Sequence, residues 1–194
     1  KLHGAIVSQL ALAWLRHRSD VDPARLALVG HSEGAIIAPM VASRDSTLRG
    51  IVLVAGTASR GRAILEEQRR YLFARDTTLP PARRDSLMRA ATIEADSAIT
   101  APGWLHFFAG YDPLPTARRV RVPVLILHGE TDRQVPLSEG KTLAAAMRAA
   151  GNARVTLRTF PRMNHLMVED PSGNPLAYPS LPGYHVRPDL LGTL

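Results

Sequence analysis

The sequence contains no cysteine, which excludes disulfides, thiolate metal sites and cysteine nucleophiles together, without fixing a compartment. It also lacks any stretch approaching the roughly 20 apolar residues of a helical membrane span. Lysine is nearly absent: Lys1 and Lys141 are the only two, so the net charge of +7 rests on arginine. These arginines stand singly or in short pairs such as Arg69-Arg70, Arg83-Arg84 and Arg118-Arg119, with acids between them. No aromatic-interleaved basic strip and no DNA-binding motif accompanies them, so a solvated arginine-biased surface is expected and a nucleic-acid partner is not. No H-E-x-x-H or comparable spacing is present, so neither a metal nor a cofactor is expected. There is no internal repeat. The chain opens on Lys1-Leu2-His3-Gly4 with neither an initiator Met nor a signal peptide, and localisation stays open.

What is present reads as an alternating α/β chain. Its 194 residues suit one domain, long enough to bury roughly 70% of its unfolded surface. Four short apolar runs, at about 26–29, 51–55, 122–127 and 155–160, alternate with helical patterns, the signature of a parallel sheet. Ile6, Leu10, Ala13 and Trp14 fall at helical spacing and predict a first helix to about residue 18. A second helix is expected over 35–43, with a kink at Pro39, whose ring removes a backbone donor. A third, over 139–150, stops at Gly151-Asn152. Between the second and third strands lie about 65 residues, too many for a simple crossover. They read as helices over 62–75 and 81–99 and then an aromatic segment, Trp104 to Tyr111. The tail from Pro171 holds five prolines and reads as irregular chain, with a last helix opening near Pro188-Asp189.

The chemistry is carried by Gly30-His31-Ser32-Glu33-Gly34, a G-x-S-x-G pattern. It directly follows an apolar strand and directly opens a helix. A strand-to-helix turn this sharp crowds its neighbours, so small residues are expected two positions either side, with the serine strained and exposed above the sheet. The backbone N–H of Glu33, at the helix N-terminus, can face a developing oxyanion. A serine hydroxyl is a poor nucleophile until a base removes its proton, so a histidine and its orienting acid must follow. After such a turn they come in the chain order serine, acid, histidine, on strand-end loops. The loop after the third strand offers Asp132, with Glu130 as its rival. The loop after the fourth offers His165. Of the other histidines, His31 beside the serine either bonds locally or touches substrate. His128, at a strand end, is expected to pack or to support the site, and His106 to pack or to meet substrate.

The segment Leu28-Val29-Gly30-His31-Ser32-Glu33-Gly34-Ala35 resembles the elbow of bacterial α/β-hydrolases grouped with the serine aminopeptidase-like and acyl-CoA thioesterase C-terminal families. There the elbow often reads G-H-S-E-G-G, and a helical lid ends in W-x-x-F-F…Y-D-P. This chain has Trp104-Leu105-His106-Phe107-Phe108 and Tyr111-Asp112-Pro113. Residues 122–136 and Asn164-His165 match as well, and Ala35 stands where a second glycine is common. The resemblance spans about residues 5–190.

It implies an α/β-hydrolase fold: a mainly parallel sheet with helices on both faces and a helical lid over 57–119, bringing Trp104, Phe107 and Tyr111 toward Ser32 as substrate-binding residues. It also implies that the family's first strands, the loop supplying a second oxyanion donor and the end of the last helix are missing, so that 1–194 is an incomplete catalytic domain. The reaction implied is acyl transfer to water through an acyl-enzyme on Ser32, with His165 as base and Asp132 fixing its tautomer. A small-molecule ester of a small to medium apolar acyl group is the first expectation. Thioester and aminoacyl amide substrates remain open, as does a non-catalytic binding module that retains the fold. The sequence does not fix the oligomeric state.

Overall fold

The four apolar runs become four strands: β1 (Ala27–His31), β2 (Gly50–Val54), β3 (Val124–Gly129) and β4 (Val155–Phe160). They form one sheet in the order β1-β2-β3-β4, every pair parallel. The structure is a computed structural model that describes residues 3–75 and 80–194. Strand β3 begins two residues later than the apolar run predicts. Pro123 has no N–H to give a ladder, and its carbonyl instead accepts from Ile51 N at 2.9 Å. Strand β1 runs on to His31 and so delivers Ser32 directly at its end.

Eight α-helices are described: α1 (His3–Arg16), α2 (Gly34–Ala42), α3 (Gly61–Arg75), α4 (Pro81–Thr100), α5 (Trp104–Gly110), α6 (Pro113–Ala117), α7 (Leu137–Ala149) and α8 (Pro188–Leu191). The chain divides into two compact units. One is helical, Ser59–Asp112; the sheet with its flanking helices is the other. The helical unit lies within the insertion read from sequence, while α6 packs on α2 and α7 in the sheet unit.

In the sheet unit, Ile51, Leu53, Val124 and Ile126 point to one face and are almost fully buried. Helices α2 and α7 cover that face, meeting at Gly56, where an added Cβ would lie 3.1 Å from Ala35 Cβ and 3.4 Å from Leu143 Cδ2. On the opposite face Val54, Leu127 and Phe160 form a second cluster with Met163 and with Leu190 of α8. Helices therefore flank both faces. Truncating a side chain such as Leu53 to alanine in so closed a core costs about 2–5 kcal/mol. Helix α2 continues through Pro39 without interruption.

The stripe Ile6, Leu10, Ala13, Trp14 marks a helix but not its buried side: Ile6, Leu10 and Trp14 are exposed, while Ala5 and Leu12 are the buried residues. Small residues let α1 approach α2 closely, since a Cβ on Gly4 would lie 2.5 Å from Ile37 Cδ1.

The helical unit is built from α3, α4 and α5, which pack on one another. Gly61 lies against α5, where a Cβ would come within 2.4 Å of the Phe108 carbonyl oxygen. Within this unit His106 Nδ1 bonds the Ile99 carbonyl oxygen at 2.9 Å. The proline-rich tail contributes a short 3-10 turn, Pro175–Ser180, and α8.

Candidate active site

The elbow follows from the end of β1. Ser32 has φ 54°, a region that non-glycine residues rarely occupy and that costs on the order of 1–3 kcal/mol. Its N–H is held by the Val54 carbonyl of the neighbouring strand at 2.9 Å, and α2 begins two residues later. Gly30 has a steric reason to be glycine: a Cβ there would sit 2.1 Å from the Gly34 carbonyl oxygen. Gly34 does not, because a Cβ there meets nothing within 4 Å. The expected need for small residues on both sides of the serine is therefore one-sided.

Asp132 lies in the loop after β3 and is 2% exposed. Its Oδ1 accepts from the backbone N–H groups of Gln134 and Val135, each at 2.9 Å. That leaves Oδ2 aimed at His165 Nδ1, 2.8 Å away. Glu130, the rival acid, is exposed and accepts instead from Thr159 Oγ1 at 2.7 Å. Of the two, Asp132 is the one that meets the imidazole.

His165 stands in a tightly turned loop after β4. Arg162 and Met167 bend the chain on either side with φ of 55° and 64°. Asn164, 1% exposed, organises the turn: its Oδ1 accepts from Leu166 N at 2.9 Å and its Nδ2 donates to Asp170 Oδ2 at 3.1 Å. Burial disfavours the Asp170 carboxylate, but hydrogen bonds from Ser172 and Asn164 outweigh it and hold the carboxyl below its usual range. The two loops interlock through Thr131, whose hydroxyl donates to the Asp170 carbonyl at 2.7 Å. They cross at Gly129, where a Cβ would lie 2.0 Å from the Met163 carbonyl oxygen. The tail ties down the same loop: Arg187 N–H donates to the Met167 carbonyl at 3.0 Å, and its guanidinium bonds the Pro161 carbonyl.

These three placements bring His165 Nε2 to 3.1 Å from Ser32 Oγ. A carboxylate oxygen only accepts, so the ring proton on the Asp132 side sits on Nδ1 and Nε2 is left to accept from the Ser32 hydroxyl. The arrangement can pass the serine proton to the imidazole while Asp132 fixes the tautomer. The Glu33 N–H follows the serine directly at the N-terminus of α2. Trp104, Phe107 and Tyr111 belong to the helical unit. There the Trp104 and Phe108 rings stack with centroids 5.2 Å apart, and the Phe107 and Tyr111 rings tilt together at 5.1 Å.

Two further histidines border these three residues. His31 Nε2 lies 2.8 Å from the His165 carbonyl oxygen. His128 is fully buried, donates from Nε2 to the Val135 carbonyl at 2.8 Å, and passes 3.9 Å from Asp132 Oδ2. Burial lowers the pKa of both rings. The sign of the consequence is fixed: on acidification the unfolded chain takes up these protons first, near 6.5. Stability contributed by the two neutral rings is thus complete above about pH 6.5 and declines as pH falls below it. Urea unfolding at pH 7.5 and 5.5 checks this; the midpoint should drop at the lower pH, and an unchanged midpoint would refute it. Asp45 and Asp170, both held low, lose their contribution only as pH falls below the ordinary 3.8.

Among the described residues no group of three or more His, Asp or Glu is placed to hold a metal ion, and no helix is long and apolar enough to cross a membrane.

The sequence model of the prolyl oligopeptidase family matches residues 9–178. The chain belongs to that family. Its α/β-hydrolase character agrees with the resemblance read from the elbow, although that resemblance pointed to the serine aminopeptidase-like and thioesterase groups. Two relatives of this prolyl oligopeptidase-family chain carry esterase names. Esterase EstD of Thermotoga maritima is 28% identical over 163 residues, 81% of this chain and 38% of the relative. Esterase LipQ of Mycobacterium tuberculosis is 27% identical over 162 residues, 80% of this chain and 36% of the relative. The chain thus spans little more than a third of either. Among solved structures, an esterase of Pyrococcus furiosus superposes with TM-score 0.56 at 16% identity, covering 81% of this chain and 52% of that one. A puromycin-hydrolyzing peptidase of M. tuberculosis superposes with TM-score 0.54 at 22% identity, covering 84% and 22%. These likenesses establish the fold.

Sequence reasoning passed over Asp170 and Arg187, which brace the histidine loop. Neither belongs to a motif. Asp170 precedes Pro171 just where the chain turns irregular, and that was the one available signal.

Proposed function

We propose that the protein is a serine hydrolase that cleaves carboxylic esters of small to medium acyl groups. Ser32 is the nucleophile, His165 the general base and then acid, and Asp132 the group that orients it. The single observation that carries this is the continuous chain from Ser32 Oγ to His165 Nε2 at 3.1 Å and from His165 Nδ1 to Asp132 Oδ2 at 2.8 Å. Ser32 attacks the ester carbonyl as His165 takes its proton. The tetrahedral oxyanion is met by the Glu33 N–H, collapse expels the alcohol protonated by His165, and water repeats the sequence on the acyl-enzyme. The strained φ of Ser32 supports the assignment, since such strain persists where the surroundings enforce it and gathers at working sites. The helical unit, with Trp104, Phe107 and Tyr111, is assigned the choice of acyl or alcohol group.

The esterase names of both relatives favour an ester, and the prolyl oligopeptidase family match favours a second reading, cleavage of peptide or aminoacyl amides. A panel of p-nitrophenyl esters of graded chain length, acyl-CoAs and aminoacyl anilides decides between them. The first reading expects the highest kcat/KM on short to medium esters, and preference for anilides would transfer the assignment to peptides. Silence across the whole panel would leave a non-catalytic module.

Asp132→Asn tests the orienting role. The amide oxygen can still accept from Gln134 and Val135, so the loop keeps its shape. Its NH2 group then faces His165 Nδ1 and forces the proton to Nε2, the nitrogen that must accept from Ser32. Turnover should fall on the order of 10^4-fold while KM and the unfolding midpoint hold. A loss under about tenfold would remove Asp132 from the mechanism.

A further inference from the structure

We propose that His31 is a positioning residue of the hydrolytic site: its ring fastens the backbone of His165 to the serine elbow. This rests on the triad assignment above. His31 is the last residue of β1 and the immediate neighbour of Ser32. Its Nε2 lies 2.8 Å from the carbonyl oxygen of His165, joining residues 134 positions apart. A carbonyl only accepts, so Nε2 carries the hydrogen. The His165 ring bonds Ser32 and Asp132, and its own peptide carbonyl is held by His31. The elbow thus grips the base at two points, with Ser32 Oγ on the imidazole and His31 on the main chain behind it. Without the second grip, the loop from Arg162 to Met167 can carry the imidazole off line, and displacements of about 1 Å cost on the order of 100-fold in rate. The ring nitrogen used in this way is not offered to substrate, which moves His31 from substrate contact to alignment.

Proton transfer to His165 also favours a neutral His31, although the protonated ring would still donate from Nε2. Its ring centroid lies 4.9 Å from that of His165, at an interplanar angle of 44°. Burial lowers its pKa most; the His165 carbonyl and the Asp132 carboxylate favour the protonated ring and the His165 ring opposes it, and the net effect is a lowered pKa. In turnover His165 becomes imidazolium, and a second cation beside it would oppose that proton transfer. Protonation of His31 on acidification therefore works against the reaction.

The test compares His31→Phe, which keeps a ring of similar shape without a donor, with His31→Gln, whose amide NH2 reaches about as far as Nε2. On the best p-nitrophenyl ester, His31→Phe should lose about 100-fold in kcat with KM within about twofold, and His31→Gln should stay within about tenfold of wild type. The acid limb of log kcat/KM against pH should be steeper in the wild type than in His31→Gln. Imidazole nitrogen-15 spectra of the wild-type protein should show His31 as the Nε2–H tautomer at pH 7.5. Equal losses in both variants, a fall in KM affinity instead of kcat, or unchanged turnover in His31→Phe would each overturn the proposal while leaving the triad standing. If the wild-type protein hydrolyses no ester, the hydrolase reading falls, and the spectrum alone decides the contact. An Nδ1–H tautomer would overturn it.

Discussion

Replacing Ser32 by alanine should reduce ester hydrolysis by the intact protein on the order of 10^6-fold, leaving substrate affinity and the unfolding midpoint near their wild-type values. The magnitude follows from the chemistry. Without the hydroxyl there is no acyl-enzyme, and the remaining oxyanion donor and binding contacts supply only the residual acceleration over water. His165→Ala should fall by a similar factor. The double variant should lose no more than either single one, because the two groups act as a unit. A substantial extra loss in the double variant would mean that Ser32 and His165 work separately. Stability should change little in Ser32→Ala, since the residue keeps its backbone bond to Val54. The φ of 54° is no easier for alanine than for serine.

The second large effect is steric and separates two glycines that a motif treats alike. Gly30→Ala places a methyl group 2.1 Å from the Gly34 carbonyl oxygen and 2.3 Å from its carbon. Both atoms belong to the backbone, so nothing can rotate aside. The elbow must open, which costs more than the roughly 1–3 kcal/mol of ordinary overpacking and carries Ser32 away from His165. Activity should be lost, with soluble protein of lowered midpoint or none at all. Gly34→Ala adds a methyl into open space at the start of α2. It should be neutral or stabilise by up to about 1 kcal/mol, since alanine has less unfolded-state freedom to lose. Equal damage from the two substitutions would contradict the one-sided account of the elbow.

The contrast shows what the sequence made legible. A continuous apolar run cannot alternate faces and so announces a strand buried on both sides. The run 51–55 delivers one, with β2 buried or half-buried throughout. The equally apolar run 26–29 instead enters β1 with Ala27 and Val29 exposed, and β4 alternates, with Thr156 and Arg158 exposed. The helices of the insertion were legible to within a residue or two, because 62–75 and 81–99 carry long uninterrupted helical patterns. The elbow was readable because glycine, serine and glycine fell between a strand and a helix. Other features depend on contacts that no local pattern carries. The buried side of α1 was not legible, because an apolar stripe says that a helix has two sides, not which side meets a neighbour. The difference between Gly30 and Gly34 arises from one carbonyl oxygen. The choice of Asp132 over Glu130 was made by two backbone N–H groups that orient one carboxylate and by Thr159, which occupies the other. Asp170 and Arg187 brace the His165 loop partly through main-chain atoms and partly through side-chain bonds to Asn164 and to the Pro161 carbonyl, partners that only the fold brings within reach.

Covalent capture tests most directly whether Ser32 is a nucleophile activated by His165. The intact protein treated with a fluorophosphonate should gain a single adduct by mass spectrometry, mapped to the peptide containing Ser32. Ser32→Ala should gain none, and His165→Ala should react slower by orders of magnitude. An adduct on another residue, or equal labelling of wild type and Ser32→Ala, would contradict the assignment.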